Sequence, residues 1–269
     1  MTMQIKAGYE ISLSCAGPTP LIGLLSVHPS RAGDVLQTTG ITTNQASPLR
    51  SFFDTFGNVC TRTTALEGTL TLSTDFVIGV QDGDTAHAEG ADEVPVDELP
   101  DDVVQYLLGS RYCETDKLSP VAWSLFGGTT RGYDRVQAIV SYVQEHIAFG
   151  YEYASATRSA WGAYHERCGV FRDFVHLAVA FARCMNIPAR YCTGYLVDSA
   201  VAESDDPVDF SPWFEAYLAG HWYTFDPRRS VGPAARVLMA AARDAADVPI
   251  YTTFGPSELI GFRVFGDVV

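Results

Sequence analysis

The segment with the clearest chemical pattern is residues 166–196, ERCGVFRDFVHLAVAFARCMNIPARYCTGYL. Gly169 predicts a tight turn, and the run after it predicts a mostly buried helix that Asn186 and Pro188 end. The first turn of such a helix stabilises negative charge through free N–H groups and the helix dipole, which lowers the pKa of a thiol. A cysteine nucleophile would therefore belong at position 171, but Phe171 stands there.

Phe171 also has a simpler interpretation as a packing residue. It continues the apolar stripe that the helix presents at intervals of three and four residues, namely Phe171, Phe174, Ala178, Phe181 and Met185. On this interpretation the ring fills the space that a reactive thiol would need.

Three other groups are candidates to supply the missing chemistry. Cys168 precedes Phe171 by three residues, and a shift of about one helical turn, roughly 5 Å, would bring its thiol to the same place. His176 on the helix and His221 in the AGHW turn offer imidazoles. Each also has a structural interpretation: an inert loop thiol, a histidine hydrogen-bonded within the fold, and an exposed hairpin residue.

Two blocks of this sequence resemble the transglutaminase-like superfamily of papain-related cysteine enzymes. The first follows the family pattern G-x-C-x-D-F-x-H and then I-P-A-R-Y-x-x-G-Y, with Gly169, Asp173, Phe174, His176 and the run IPARYCTGY. The second follows D-x-H-A-W-x-E-x-Y and then W-x-x-F-D-P, with Asp209, Trp213, Glu215, Tyr217, Trp222, Phe225, Asp226 and Pro227. The resemblance implies a helix-plus-antiparallel-sheet domain preceded by a β domain.

The resemblance also implies a catalytic cysteine, histidine and aspartate, of which this chain keeps one. The family's nucleophile position falls on Phe171, its imidazole on Ser211 and its carboxylate on Asp226. A phenyl ring cannot attack a carbonyl group, and an unperturbed serine hydroxyl is too weak a base to deprotonate a thiol at neutral pH. The ordinary cysteine mechanism is therefore excluded.

Two functions remain open, and the sequence favours the first. One is a rewired enzyme acting on an amide, ester, thioester or small biosynthetic intermediate, for which the candidate catalytic residues are Asp226, Cys168, Ser211 and His221. The other is a catalytically inactive binding or regulatory protein. Either would use a cleft for a small-molecule or peptide-like partner, and the candidate lining residues are Phe171, Trp161, Trp213 and Tyr195. A third possibility gives the functional surface to the N-terminal β region.

Charge and composition restrict the partners further. A formal net charge of −14 disfavours a nucleic-acid backbone or an anionic membrane as partner. Six cysteines spread over 269 residues, with no CxxC pair, are typical of reduced thiols and give no support for a structural zinc site. We therefore expect no metal and no cofactor. The N-terminus lacks a signal-peptide pattern and no long apolar run occurs, so the sequence predicts a cytoplasmic protein, with a homo-oligomer possible.

The sequence predicts an α+β protein with two domains. Residues 1–81 alternate short β-rich runs with turn signals and predict an antiparallel β-sandwich-like domain. Residues 82–102 hold nine acids and no Lys or Arg, which is typical of a solvated linker. Residues 103–269 change to helical periodicity and then to short β runs, which predicts a transglutaminase-like domain of helices and an antiparallel sheet.

Overall fold

The computed structural model of this chain describes residues 2–81, 89–197, 209–228 and 235–269. The strands are β1 Thr2–Cys15, β2 Thr19–Gly23, β3 Val35–Thr38, β4 Thr42–Thr43, β5 Arg50–Phe53, β6 Val59–Ala65, β7 Gly68–Gln81, β8 Ala148–Phe149, β9 Cys168–Gly169, β10 Ala189–Val197, β11 Ser211–Leu218, β12 His221–Phe225, β13 Ala235–Ala242, β14 Tyr251–Thr253 and β15 Ser257–Val268. The helices are α1 Asp101–Val104, α2 Thr115–Phe126, α3 Tyr133–His146, α4 Ala160–Glu166 and α5 Phe171–Cys184.

Two antiparallel sheets make up the N-terminal part, as the sequence predicts. One has the order β15-β1-β7-β3, with β4 also on β7, and the other has the order β14-β2-β6-β5. The alternating apolar residues of β1, from Ile5 to Leu13, point into the core between the sheets. This period of two is why the segment forms a strand with one buried face.

The helices surround α5, which forms the centre of the second core. Residues 173–184 of α5 are all buried, because α2, α3 and α4 pack around the helix and β10 and β11 cover its remaining side. In α3, Val136, Ile139, Val140 and Val143 recur at intervals of three and four residues and are buried, which agrees with the helical periodicity of this part of the sequence. The overall α+β class is therefore the one that the sequence indicates.

The third large sheet is antiparallel, with the order β12-β11-β10-β13. Its packing does not stop at the predicted domain boundary. Tyr195 and Val237 of this sheet pack in the core of the N-terminal sheets, while β14 and β15 hydrogen-bond with β2 and β1. The chain after residue 103 thus contributes two strands to the N-terminal sheets, whereas the sequence assigns it to one separate domain.

Part of the acidic segment is anchored. Residues 82–88 lie outside the described residues, but the Glu93 carboxylate accepts hydrogen bonds from Arg135 Nη1 at 2.8 Å and from the Gly132 N–H at 3.1 Å. Arg135 is buried, and a buried guanidinium needs an acceptor of opposite charge. The described part of this segment therefore packs against the start of α3, unlike the fully solvated linker that its composition suggests.

Among the described residues, no helix is both long enough and apolar enough to cross a membrane. The cytoplasmic location stays a prediction.

Candidate functional site

The first residue of α5 is Phe171, at the place where the sequence pattern would put a nucleophile. The short parallel pair of β8 and β9 fixes the chain before the helix, with Phe149 opposite Gly169. A Cβ atom on Gly169 would lie 2.6 Å from Asp173 Oδ2, so a larger residue does not fit there. The buried Asp173 accepts a hydrogen bond from the Val170 N–H at 3.0 Å and caps the helix.

The phenyl ring of Phe171 is half-buried and lies among other aromatic rings. It stacks on Phe149 with 4.2 Å between the ring centroids and 13° between the ring planes, and meets the edge of Phe174 at 6.4 Å. The side chain therefore does not pack inward with the rest of the apolar stripe. It lies at the surface end of α5, where Phe149 is 42% exposed.

Arg228 connects this aromatic pair to Asp226. Its guanidinium carbon lies 5.4 Å from the centre of the Phe171 ring, and its Nε donates to Asp226 Oδ1 at 2.8 Å. A second bond from Arg228 Nη2 reaches Asp226 Oδ2, which also accepts from Arg236 Nη2 at 2.8 Å. Burial raises the pKa of Asp226, but the hydrogen bonds and charges of the two arginines outweigh burial and hold the pKa below its usual value.

The contacts of Arg228 match those that an imidazole makes in a cysteine triad, where one group touches both the carboxylate and the nucleophile. Arg228 is a site residue that the sequence patterns do not indicate. The available signal was its place two residues after Asp226 in FDPRR, which allows an arginine to fold back onto the carboxylate. Both carboxylate oxygens of Asp226 accept hydrogen bonds from arginines, so the carboxylate forms ion pairs and does not orient an imidazole.

Of the two candidates to replace the histidine, His221 lies far from Asp226, whereas Ser211 lies at the start of the strand that pairs with β12, next to the end of β12 that Asp226 follows. Ser211 begins β11, half-buried, opposite Gly194 of β10. His221 is exposed in the hairpin between β11 and β12, at the end of β12 opposite to Asp226. The five residues of extended chain from His221 to Asp226 place the two about 16 Å apart.

Cys168 lies close to the site but without an imidazole. Its strand β9 pairs with β8, where Cys168 stands opposite Ala148. His165 directs its Nδ1 to the Trp161 carbonyl oxygen at 3.0 Å. Among the hydrogen bonds of the described residues, none joins the Cys168 thiol to a histidine.

His176 is a buried structural residue. Its ring stacks on Tyr112 at 5.0 Å, and its Nε2 accepts a hydrogen bond from the Ala245 N–H at 3.2 Å. Burial lowers the pKa of His176 to about 3 against the opposing effect of Asp244, so the ring is neutral at pH 7.

The predicted cleft residues lie in different environments. Trp161 on α4 packs on the His165 ring at 3.9 Å, and Trp213 is buried in a cluster with Cys192, Leu238 and Ala241. Tyr195 is buried against Phe76 and Phe210 in the N-terminal core. An irregularity in the pairing of β10 with β13, at Thr193 and Gly194, precedes Tyr195 along β10.

Of the four predicted lining residues, Phe171 borders a cleft among the described residues. The cleft has a volume of about 530 Å³ and lies between the end of α3, β8 and the start of α5. Its lining residues are Gln144, Glu145, His146, Ile147, Ala148, Phe149, Arg167, Phe171 and Phe174. The floor is apolar and aromatic, while Glu145 and Arg167 place both signs of charge around it.

Comparisons with known proteins agree with this architecture. The model of the transglutaminase-like superfamily matches residues 120–227. The uncharacterized protein ML0607 of Mycobacterium leprae is 32% identical over 109 residues, which are 38% of this chain and 38% of that protein's length. The crystal structure of a candidate cysteine protease from Cytophaga hutchinsonii covers 100% of this chain and 91% of its own, at a TM-score of 0.87 and 29% identity.

The matched family region contains α5, both motif blocks and Asp226. The Cytophaga hutchinsonii structure extends the likeness to the N-terminal sheets as well. Residues 120–227 therefore match the transglutaminase-like superfamily, and the chain as a whole has the fold of the Cytophaga hutchinsonii protein.

Proposed function

We propose that this protein binds a small peptide-like ligand in the cleft beside Phe171 and does not perform the thiolate chemistry of its superfamily. The observation that carries the proposal is the position of Arg228, which pairs with Asp226 and lies against the Phe171 ring. A charged guanidinium cannot take up a proton, so it cannot replace the imidazole as a general base.

Phe171 also excludes attack by a cysteine thiolate at the start of α5. Its ring offers no lone pair to attack a carbonyl carbon, and its stacking on Phe149 fills the start of α5 with apolar surface. The same features suit binding, because ligand sites are mostly apolar with a few polar groups that set orientation.

The charges around the cleft support a peptide-like ligand. Glu145 can accept hydrogen bonds from an amino or amide group, and Arg167 can donate to a carboxylate or carbonyl oxygen. An apolar side chain of the ligand would pack on Phe149. The likeness to a protein named as a candidate cysteine protease points to the same class of ligand, since a protease acts on peptide bonds.

Binding can be tested by titrating the full chain with a panel of N-acetylated dipeptides, read by NMR chemical shifts and calorimetry. We expect Phe149→Ala to weaken the best binder by about fivefold or more, because truncating an aromatic contact removes apolar burial worth more than about 1 kcal/mol. The matched control is Phe52→Ala on β5, since Phe52 is 43% exposed and Phe149 is 42% exposed. Equal affinities of the two variants, or no binding by any dipeptide, would contradict the proposal.

A rewired enzyme that uses Cys168 is the second candidate. Of the six cysteines, five are buried and Cys168 is half-buried, and its strand partner Ala148 lines the cleft. Burial raises the pKa of Cys113 and Cys184 to about 12, which makes these thiols unreactive at neutral pH.

Alkylation with iodoacetamide, followed by peptide mass spectrometry, separates the two candidates. For a binding protein, we expect Cys168 to react first but no faster than glutathione under the same conditions. A rate about tenfold above glutathione, together with ester turnover that Cys168→Ser abolishes, would favour the enzyme instead.

A further inference from the structure

The strand β15 forms one edge of the largest N-terminal sheet. It pairs with β1 on one side, and on its other side no described strand is hydrogen-bonded to it. At 12 residues it is longer than most strands, and it carries exposed apolar side chains at Leu259, Ile260, Phe262 and Val268, with exposed Val269 directly after it. A long apolar edge strand is a ready template for pairing with another strand.

The hydrogen bonds to β1 show which backbone groups face outward. The Val269 N–H donates to the Gln4 carbonyl oxygen at 2.9 Å. Because bonded and non-bonded pairs alternate in an antiparallel ladder, the odd residues from 261 to 269 bond to β1. The even residues, including Phe262 and Val268, therefore turn their N–H and C=O groups to the side of β15 on which no described strand pairs.

We propose that two copies of this chain pair through their β15 edges, antiparallel, about a two-fold axis at Phe265. The two sheets then form one continuous sheet across the dimer. In this register Arg263 lies opposite Asp267 of the second copy, and the symmetry repeats that pair. Phe262 lies opposite Val268 of the second copy.

Charge selects this register among the alternatives. A symmetric antiparallel pair must have its axis through a residue, because neighbouring pairs alternate in bonding type. An axis at Arg263 or at Asp267 would place like charges opposite each other. With the axis at Phe265, Arg263 of each copy faces Asp267 of the other copy, so that a positive charge meets a negative charge twice. Glu258 lies outside the paired region.

In the same register, the exposed apolar side chains of Phe262 and Val268 become covered by the second copy. Val264 is already buried on the core side of β15, and Phe262 and Val268 lie on the same side of the strand. In the dimer these two side chains pack against each other across the new boundary. The paired region spans residues 261–269 of each copy.

The association can be measured by sedimentation equilibrium of the full chain at about 0.15 M salt, which screens the repulsion between two acidic proteins. We expect a wild-type dimer. Arg263→Asp alone and Asp267→Arg alone should each weaken it by about tenfold or more, because each places like charges opposite each other twice. An equimolar mixture of the two variants should dimerise again, since Asp at 263 then faces Arg at 267 and Arg263 faces Asp267.

A second pair of variants tests the apolar contact. Val268→Lys should weaken the dimer, whereas Ile260→Lys, on the same strand but outside the paired region, should leave it unchanged. Val268 is 51% exposed and Ile260 is 52% exposed, so the two substitutions are matched for burial. A monomer at every concentration, a dimer insensitive to Val268→Lys, or a mixture of charge variants that stays monomeric would each overturn the proposal.

Discussion

At the scale of single residues, the hydrogen-bond partners of the Asp226 carboxylate decide what the site can do. Arg228 bonds Asp226 Oδ1 and Oδ2, while Arg236 bonds Oδ2. Removing the Arg228 side chain would leave Oδ1 with the backbone N–H of residue 228 alone, at 3.1 Å, and Oδ2 with Arg236. The Arg228 side chain would therefore compete with any imidazole introduced next to Asp226.

We accordingly predict that Phe171→Cys with Ser211→His does not create an active enzyme. The introduced imidazole would find both oxygens of Asp226 occupied, and a histidine without its orienting carboxylate is a poor base. Adding Arg228→Gln should raise the rate of ester hydrolysis at least about tenfold over the double variant, measured with a chromogenic ester. A double variant as active as the triple variant would show that Arg228 does not block Asp226.

The buried His176 predicts a pH dependence of stability. The folded protein takes up a proton at His176 only near pH 3, whereas the unfolded chain does so near pH 6.5. The unfolded state therefore binds more protons between these values, and the free energy of unfolding falls as pH drops through this window, by up to about 1.4 kcal/mol per pH unit.

Urea unfolding of the wild type and of His176→Phe between pH 4.5 and pH 7 measures this effect. This range lies above the pH at which most carboxylates titrate. The variant should lose about 1–3 kcal/mol at pH 7, because the Ala245 N–H loses its acceptor, but its stability should depend less on pH. Parallel curves for the two proteins would refute the assignment of the slope to His176.

Several site residues could be predicted from sequence because local patterns specify them. The helix after Gly169 follows from its apolar spacing and from Pro188, and the position of Phe171 follows from that helix. Arg228 could not be predicted, because an arginine after Pro227 looks like an exposed loop residue until its fold back onto Asp226 is seen. Trp213 and Tyr195 were assigned to the cleft, but strand alternation and tertiary packing place each in another core.

At the scale of secondary-structure elements, the junction of the two cores depends on the irregular pairing of β10 with β13. A Cβ atom on Gly194 would lie 2.0 Å from the Val237 carbonyl oxygen, and that neighbour is backbone, which cannot rotate away. The pairing register shifts between Thr193 and Gly194, just before Tyr195 packs into the N-terminal core. Glycine at 194 is thus a condition for joining the two cores.

Gly194→Ala should lower the free energy of unfolding by about 2–3 kcal/mol, as expected for forced overpacking. Gly128→Ala is the control, because a Cβ at Gly128 meets no atom within 4 Å. Its effect should stay within about 0.5 kcal/mol. Equal urea midpoints for the two variants would mean that the strands separate at Gly194 without cost.

At the scale of the whole molecule, the two halves share a core. Tyr195, Val237 and Met239 from the second half pack with the strands of the first, and β15 pairs with β1 along most of its length. Part of the apolar surface of each half is therefore buried against the other half. The two-domain division that composition suggests does not follow these contacts.

We therefore predict a single cooperative unfolding transition. All four tryptophans lie between residues 123 and 222, so their fluorescence reports on the helical half, whereas far-UV circular dichroism reports on all sheets and helices. The two signals should give the same urea midpoint. A separate transition in circular dichroism would instead support two independent domains.

The pairing of Asp226 with two arginines also has an evolutionary consequence. Cysteine catalysis in the family arrangement would need changes at positions 171, 211 and 228. A cysteine at 171 lacks a base and a histidine at 211 lacks a carboxylate, while losing Arg228 alone weakens an ion pair whose disruption typically costs several kcal/mol. The three changes would therefore have to be combined before the family arrangement of catalytic groups is complete.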